Sequence, residues 1–205
     1  MFLGFQVASA PPNKNKASSS DMLCKSLEEI ISWAWCGTKI LVEHCDAVRS
    51  DGLFEKGFLP LKEELSVVSK FYGEDIGVLI NTGRSAVELM DAFSVIHHIE
   101  LAQKFGLLSA IIFSGTTPIQ GDYGPWKDLH MPFGEFISSK FPAKGSILNA
   151  KFLDQICSSV NLRELDFTGV KIMPCLPKDG DFDMCIGVNT DAITVLDHYL
   201  CPKSF

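Results

Sequence analysis

Glu74–Phe93 reads EDIGVLINTGRSAVELMDAF, an unbroken apolar run that stops at Asn81-Thr82-Gly83-Arg84-Ser85 and passes into a helical pattern. Ile76 to Ile80 is short, branched and apolar, which suits a strand covered on both faces. From Ala86 onward Val87, Met90, Phe93 and Ser94 recur at helical spacing. A strand that turns directly into a helix is the repeating unit of an open α/β sheet. Ligands of such sheets sit beyond the carboxyl ends of the strands, so Asn81–Ser85 is the first place to look for chemistry.

The same alternation extends on both sides. Upstream, Ser20 or Asp21 can cap a helix over Met22–Trp35, Thr38–Cys45 (TKILVEHC) reads as a strand closing on Asp46, and Pro60 opens a helix that Gly73 stops. Downstream, the helix begun at Ala86 runs to Lys104-Phe105, and Gly106 ends it. Leu107–Phe113 is a third strand, Ile147–Val160 a helix and Val170–Cys175 a further strand near a sheet edge, where Pro174 and Pro177 are tolerated. An acidic loop from Lys178 leads into a helix ending at Leu200. Strand, helix, strand in succession favours right-handed parallel crossovers. The expected fold is α/β, a three-layer, mostly parallel sheet with flanking helices, Rossmann-like, carrying a Gly/Pro/aromatic insertion.

Residues 1–20 include ASAPPNKNKASSS, with almost nothing to bury, and read as a disordered amino-terminal arm. Residues 21–205 form a single domain in this reading, with the insertion at about 115–145. Within it, Gly121–Pro142 mixes Gly, Pro and aromatics, and Tyr123, Trp126, Phe133 and Phe136 must find cover. These four aromatics are the candidate surface for a protein partner.

The formal charge of −7 argues against a broad nucleic-acid groove, which needs clustered Lys and Arg, but suits a small acidic metal site. Seven cysteines with no C-x-x-C pair predict a reducing compartment and no disulfide framework. Adjacent His97-His98 without paired cysteines predict no zinc site. Met1–Ala10 ends in Ala-Ser-Ala but lacks the basic start of an export signal, and no apolar run reaches membrane-spanning length. The expectation is a soluble, intracellular, cytoplasmic protein.

Chemistry has two candidate seats. Asp179, Asp181 and Asp183 alternate in a loop where carboxylates can converge on Mg²⁺, with Asp181 and Asp183 as metal ligands and Asp46 and Asp183 as catalytic carboxylates. Thr82, Gly83, Arg84 and Ser85 at a helix start offer backbone N–H groups and a guanidinium to a phosphate.

Two family resemblances bear on these stretches. Lys178–Asn189 (KDGDFDMCIGVN) is similar to the lysine-glycine-x-aspartate segment of NYN domains, the PIN-like nucleases. That resemblance implies metal-binding carboxylates at positions 81, 183 and 189, where this chain has Asn81, Asp183 and Asn189. Ile80–Ser85 looks like the second motif of haloacid-dehalogenase-like phosphatases, which implies that Thr82 holds a phosphoryl group. Lys39–Gly52 has the outline of their first motif, with His44 at the nucleophile position and Asp46 at the acid position. Amides and a histidine at catalytic positions point to a non-catalytic α/β interaction protein, a degenerate phosphoesterase-like domain that binds a macromolecular partner. The alternative is a Mg²⁺-dependent phosphoester hydrolase with its acidic site at the strand ends.

Overall fold

The computed structural model describes residues 2–5, 16–136, 139–174 and 181–201. Five strands, β1 (Phe2–Phe5), β2 (Lys39–Glu43), β3 (Ile76–Asn81), β4 (Leu108–Phe113) and β5 (Phe167–Val170), pair in chain order, every pair parallel. Parallel neighbours need a crossover, and helices supply it. The helices are α1 (Lys16–Ile31), α2 (Leu61–Val68), α3 (Thr82–Leu89), α4 (Ser94–Lys104), α5 (Ala150–Ser159) and α6 (Phe182–Leu200).

The two faces of the sheet are covered differently. Ile40, Val42, Ile76, Val78, Ile80, Ile111 and Phe113 point into the main core. There they meet Leu23 and Leu27 of α1, Leu65 of α2, Ile99 of α4, Leu153 of α5 and Val195 of α6. The alternate positions Leu41, Leu79 and Ala110 form a small second cluster with Ile112 beside it, and that cluster contains strand residues alone. A sheet whose strands follow in sequence, with no reversal of order, sends right-handed crossovers to one side. It therefore curls as a half-barrel, helices outside and a narrow apolar lining within. A Rossmann sheet reverses its strand order and is covered by helices on both sides. The parallel α/β reading stands, and the order here is that of a partial barrel.

Three expected elements differ from those observed. The helix expected from Ala86 to Phe105 is two: α3 ends where Met90 takes a left-handed conformation (φ 52°), and the Ser94 hydroxyl, bonding the Ser85 and Asp91 carbonyls at 2.7 Å, redirects the chain into α4. The final strand lies earlier than expected, because Phe167–Val170 match Ala110–Phe113 in register. Within the span read as an arm, Phe2–Phe5 pair with Lys39–Val42 and α1 begins at Lys16. Cys185 is disulfide-bonded, where the sequence predicts a reducing compartment and no disulfide framework.

The insertion is tied down at its base. Gly115 and Met131 exchange backbone hydrogen bonds of 2.9 Å, and Ile147 N–H donates to the Thr116 carbonyl. Gly115 is required there: a Cβ would lie 2.4 Å from the Met131 carbonyl oxygen. α5 starts at Ala150 because Asn149 caps it, accepting from Phe152 N–H at 3.1 Å.

Candidate active site

Alternation along a strand carries the concave face from Leu41 to Glu43 and from Leu79 to Asn81. The carboxyl ends of β2 and β3 therefore put an acid and an amide where the lining stops being apolar. Asn81 Nδ2 donates to Glu43 Oε1 at 2.8 Å, while Asn81 Oδ1 accepts from Arg84 N–H as the cap of α3. One side chain thus starts a helix and orients the acid.

Other segments complete the rim. Just beyond β5, Lys171 Nζ lies 3.2 Å from Glu43 Oε1. Arg84, buried at 5% exposure, sets its guanidinium 3.5 Å from Glu43 and 3.3 Å from Asp128. Arg84 Nε and Nη1 have no aligned hydrogen-bond acceptor at these ion-pair distances, so their donor capacity is unspent. His130 follows Asp128 on the insertion. Its Nδ1 is 2.9 Å from Ser114 Oγ, beyond β4, and 3.3 Å from Asp128 Oδ1. The carboxylate beside Nδ1 favours the proton on that nitrogen, which leaves Nε2 as the basic atom.

Electrostatics give the two acid–base groups opposite characters. Burial alone would raise the Glu43 pKa, but the Arg84 charge, the Asn81 hydrogen bond and Lys171 outweigh it and hold the carboxyl below its usual value. His130 is pushed down, by burial first and by the nearby Lys171 and Arg84 cations, against the pull of Asp128. At neutral pH the rim presents a carboxylate fixed by cations and a neutral imidazole. The first suits holding a hydroxyl and the second suits moving a proton.

A second cluster lies on the helical side of the sheet. His44, one step beyond β2 on the convex face, is fully buried. Its Nδ1 is 3.1 Å from Glu64 Oε2 of α2, and its Nε2 3.0 Å from Glu88 Oε2 of α3. Glu88 also accepts from Ala47 N–H at 3.1 Å, and its other oxygen is 3.8 Å from His98 Nε2 of α4. Burial opposes charge on His44, yet Glu64 and Glu88 raise its pKa to about 10. Burial and that neighbouring charge push His98 down to about 3.

The residues singled out in the sequence fall as follows. Asp46 is buried and staples the following loop, Oδ2 accepting from Glu55 and Lys56 N–H. Thr82 is committed to Ser114, donating to its carbonyl at 2.7 Å and accepting its N–H at 2.9 Å. Gly83 packs against the same residue, Arg84 turns to the rim and Ser85 is buried. Asp181 caps α6 through Met184 N–H, and Asp183 is exposed in its first turn. Asp179 lies outside the described residues. Of the aromatics, Phe133 is in the core with Trp126 and Phe136 packed on it, and Tyr123 lines a cavity of about 340 Å³ with Ile119, Met131, Phe141 and Met184. Phe133, Trp126 and Phe136 cover the protein's own interior, and nothing supports a protein partner. Of the residues singled out in the sequence, Arg84 and Asn81 belong to the rim.

Glu43, Asp128, His130 and Lys171 went unselected, whereas Asn81 was named with the end of β3 and sits on the rim against Glu43. A legible signal existed for one pair: Glu43 and Asn81 each end an apolar strand on the phase of a lining residue.

The arrangement is that of α/β enzymes whose sites lie at the carboxyl ends of barrel strands. Solved structures with the same fold include a D-psicose 3-epimerase in the presence of D-fructose, with TM-score 0.61 and 13% identity over 97% of this chain and 64% of that one. Another is the D-psicose 3-epimerase with D-tagatose from Clostridium cellulolyticum H10, with TM-score 0.55 and 11% identity over 92% and 58%. The chain belongs to the family DUF4862, described as a domain of unknown function, which matches residues 1–186. It is 34% identical over 184 residues to the uncharacterized protein STM3670 of Salmonella typhimurium (strain LT2), covering 90% of this chain and 55% of the relative. The chain thus spans about half the length of that curated relative. These findings correct the resemblances to NYN/PIN-like nucleases and haloacid-dehalogenase-like phosphatases. They equally displace the readings as a non-catalytic interaction protein and as a phosphoester hydrolase, since the fold shared is that of sugar epimerases. Among the described residues no helix is long and apolar enough to cross a membrane.

Proposed function

We propose that this chain carries part of the active site of a sugar-processing enzyme that isomerises or epimerises a ketose through proton transfer beside the carbonyl. The observation that carries the reading is the concave rim itself: Glu43, Arg84, His130 and Lys171 gathered at the carboxyl ends of parallel strands. In this reading His130 Nε2 removes the proton from the carbon next to the carbonyl. Arg84 and Lys171 stabilise the negative charge that develops on the carbonyl oxygen, and the proton returns to the other face or the neighbouring carbon. Glu43 accepts a sugar hydroxyl. The sugar epimerase fold supports the substrate class. Mg²⁺ at Asp181 and Asp183 has no support from their roles at the start of α6.

The test uses a panel of ketohexoses, including D-psicose, D-fructose and D-tagatose. Saturation-transfer NMR reads binding, and deuterium uptake from D₂O at the carbon beside the carbonyl reads chemistry. His130→Ala is expected to slow exchange by about 10²–10⁴-fold. Glu43→Gln and Lys171→Ala are expected to lose binding. Absence of binding and of exchange across the panel, or binding that survives both substitutions, overturns the proposal.

A further inference from the structure

We propose that His44, Glu88 and His98 bind a divalent transition metal, zinc by the character of their donor atoms, in a buried site on the helical side of the sheet that leaves the fourth position to water. This inference is independent of the sugar reading, because the cluster and the rim lie on opposite faces. The ligand atoms of the three residues all lie within 4.8 Å of one another. Metal–ligand bonds of 2.0–2.1 Å put tetrahedral ligand atoms about 3.3 Å apart. In the cluster His44 Nε2 lies 3.0 Å from Glu88 Oε2 and His98 Nε2 lies 3.8 Å from Glu88 Oε1, one imidazole at each oxygen of the carboxylate. Two imidazoles and a carboxylate suit zinc, whereas Mg²⁺ and Ca²⁺ prefer all-oxygen sets.

Charge favours the ion as well. Glu64 and Glu88 both approach the fully buried His44 ring, at 3.1 and 3.0 Å, and a dication there offsets the charge of the two carboxylates. Glu64 already occupies the orienting position: by accepting the Nδ1 proton it turns His44 Nε2 toward Glu88, as carboxylates behind metal-bound histidines do. His98 contributes a buried ring whose Nδ1 has no hydrogen-bond partner. The ligands come from the end of β2, α3 and α4, with Glu64 on α2, so the ion would cross-link the half-barrel to its helices.

The test strips the purified chain with a chelator and titrates it with Zn²⁺, Co²⁺ and Mg²⁺. The expected result is uptake of about one zinc per chain, a tetrahedral Co²⁺ ligand-field spectrum and a higher melting temperature with zinc but not with Mg²⁺. His98→Gln abolishes the Co²⁺ spectrum. Glu64→Gln keeps it and weakens affinity by about 10–100-fold. Should His98→Gln fail to fold, ¹⁵N NMR of the wild-type imidazoles decides instead, with zinc shifting both Nε2 resonances. A stripped wild type that develops no Co²⁺ spectrum, a His98→Gln variant that retains it, or imidazole resonances unmoved by zinc overturns the proposal.

Discussion

Arg84 sits buried between two acids, Glu43 and Asp128. Its side chain is 6% exposed between Glu43 and Asp128, at 12% and 4%. Breaking such a pair by removing one partner costs more than forming it gained, because the charges left behind stay desolvated. Arg84→Met is therefore expected to destabilise the fold by about 3–5 kcal/mol in urea unfolding. Lys127→Ala, which removes a solvent-facing partner of Glu55, is expected to cost less than about 1 kcal/mol. Equal effects would mean that the guanidinium is solvated. His130 gives a pH signature. Because its folded pKa is lowered, the imidazole remains neutral below the ordinary histidine value of about 6.5. Exchange is expected to be level above that value and to fall only as pH drops through the lowered pKa. The stability contribution has the same sign: it is complete above the unfolded value and is lost as pH falls, since the unfolded chain then binds the extra proton. A rate that instead declines on raising the pH through 6–7 would remove His130 as the base.

The break between α3 and α4 is a device for placing side chains. α3 is only eight residues long, and its first turn must deliver Arg84 to the rim while Glu88 faces His44. Ending it at Met90 frees α4 to bring His98 in from another direction. The left-handed conformation there costs a residue with a Cβ about 1–2 kcal/mol, and Met90 is 44% exposed, so little packing offsets it. Met90→Gly is expected to stabilise the protein by about 1 kcal/mol, read as a higher urea midpoint with unchanged slope. A loss of stability would show that the Met90 side chain packs more than its exposure implies.

One-sided packing makes the two faces of the sheet unequal in energy. Phe113 is fully buried between the sheet and the helices, whereas Leu79 belongs to the small concave cluster. Phe113→Ala is expected to cost about 3–5 kcal/mol and Leu79→Ala nearer 2, compared by chemical denaturation. A larger cost at Leu79 would mean a second covered layer and a three-layer sheet after all.

The local pattern determined much of this chain. Apolar runs closed by small polar residues marked β2, β3 and β4, whereas the start of α5 was read at Ile147 and lies at Ala150, capped by Asn149. Two things were not legible. Ile76–Ile80 is apolar on both phases whether its second face meets helices or a barrel lining, so the run distinguishes covered from exposed but not Rossmann from half-barrel. The rim, likewise, joins Glu43 to Lys171, 128 positions apart, through the order in which strands pair and through a loop folded back by two hydrogen bonds. Periodicity reports what each segment buries against. Which segments become neighbours is settled by the packing of the assembled chain, because convergence of side chains depends on strand order and curvature rather than on any one segment's composition.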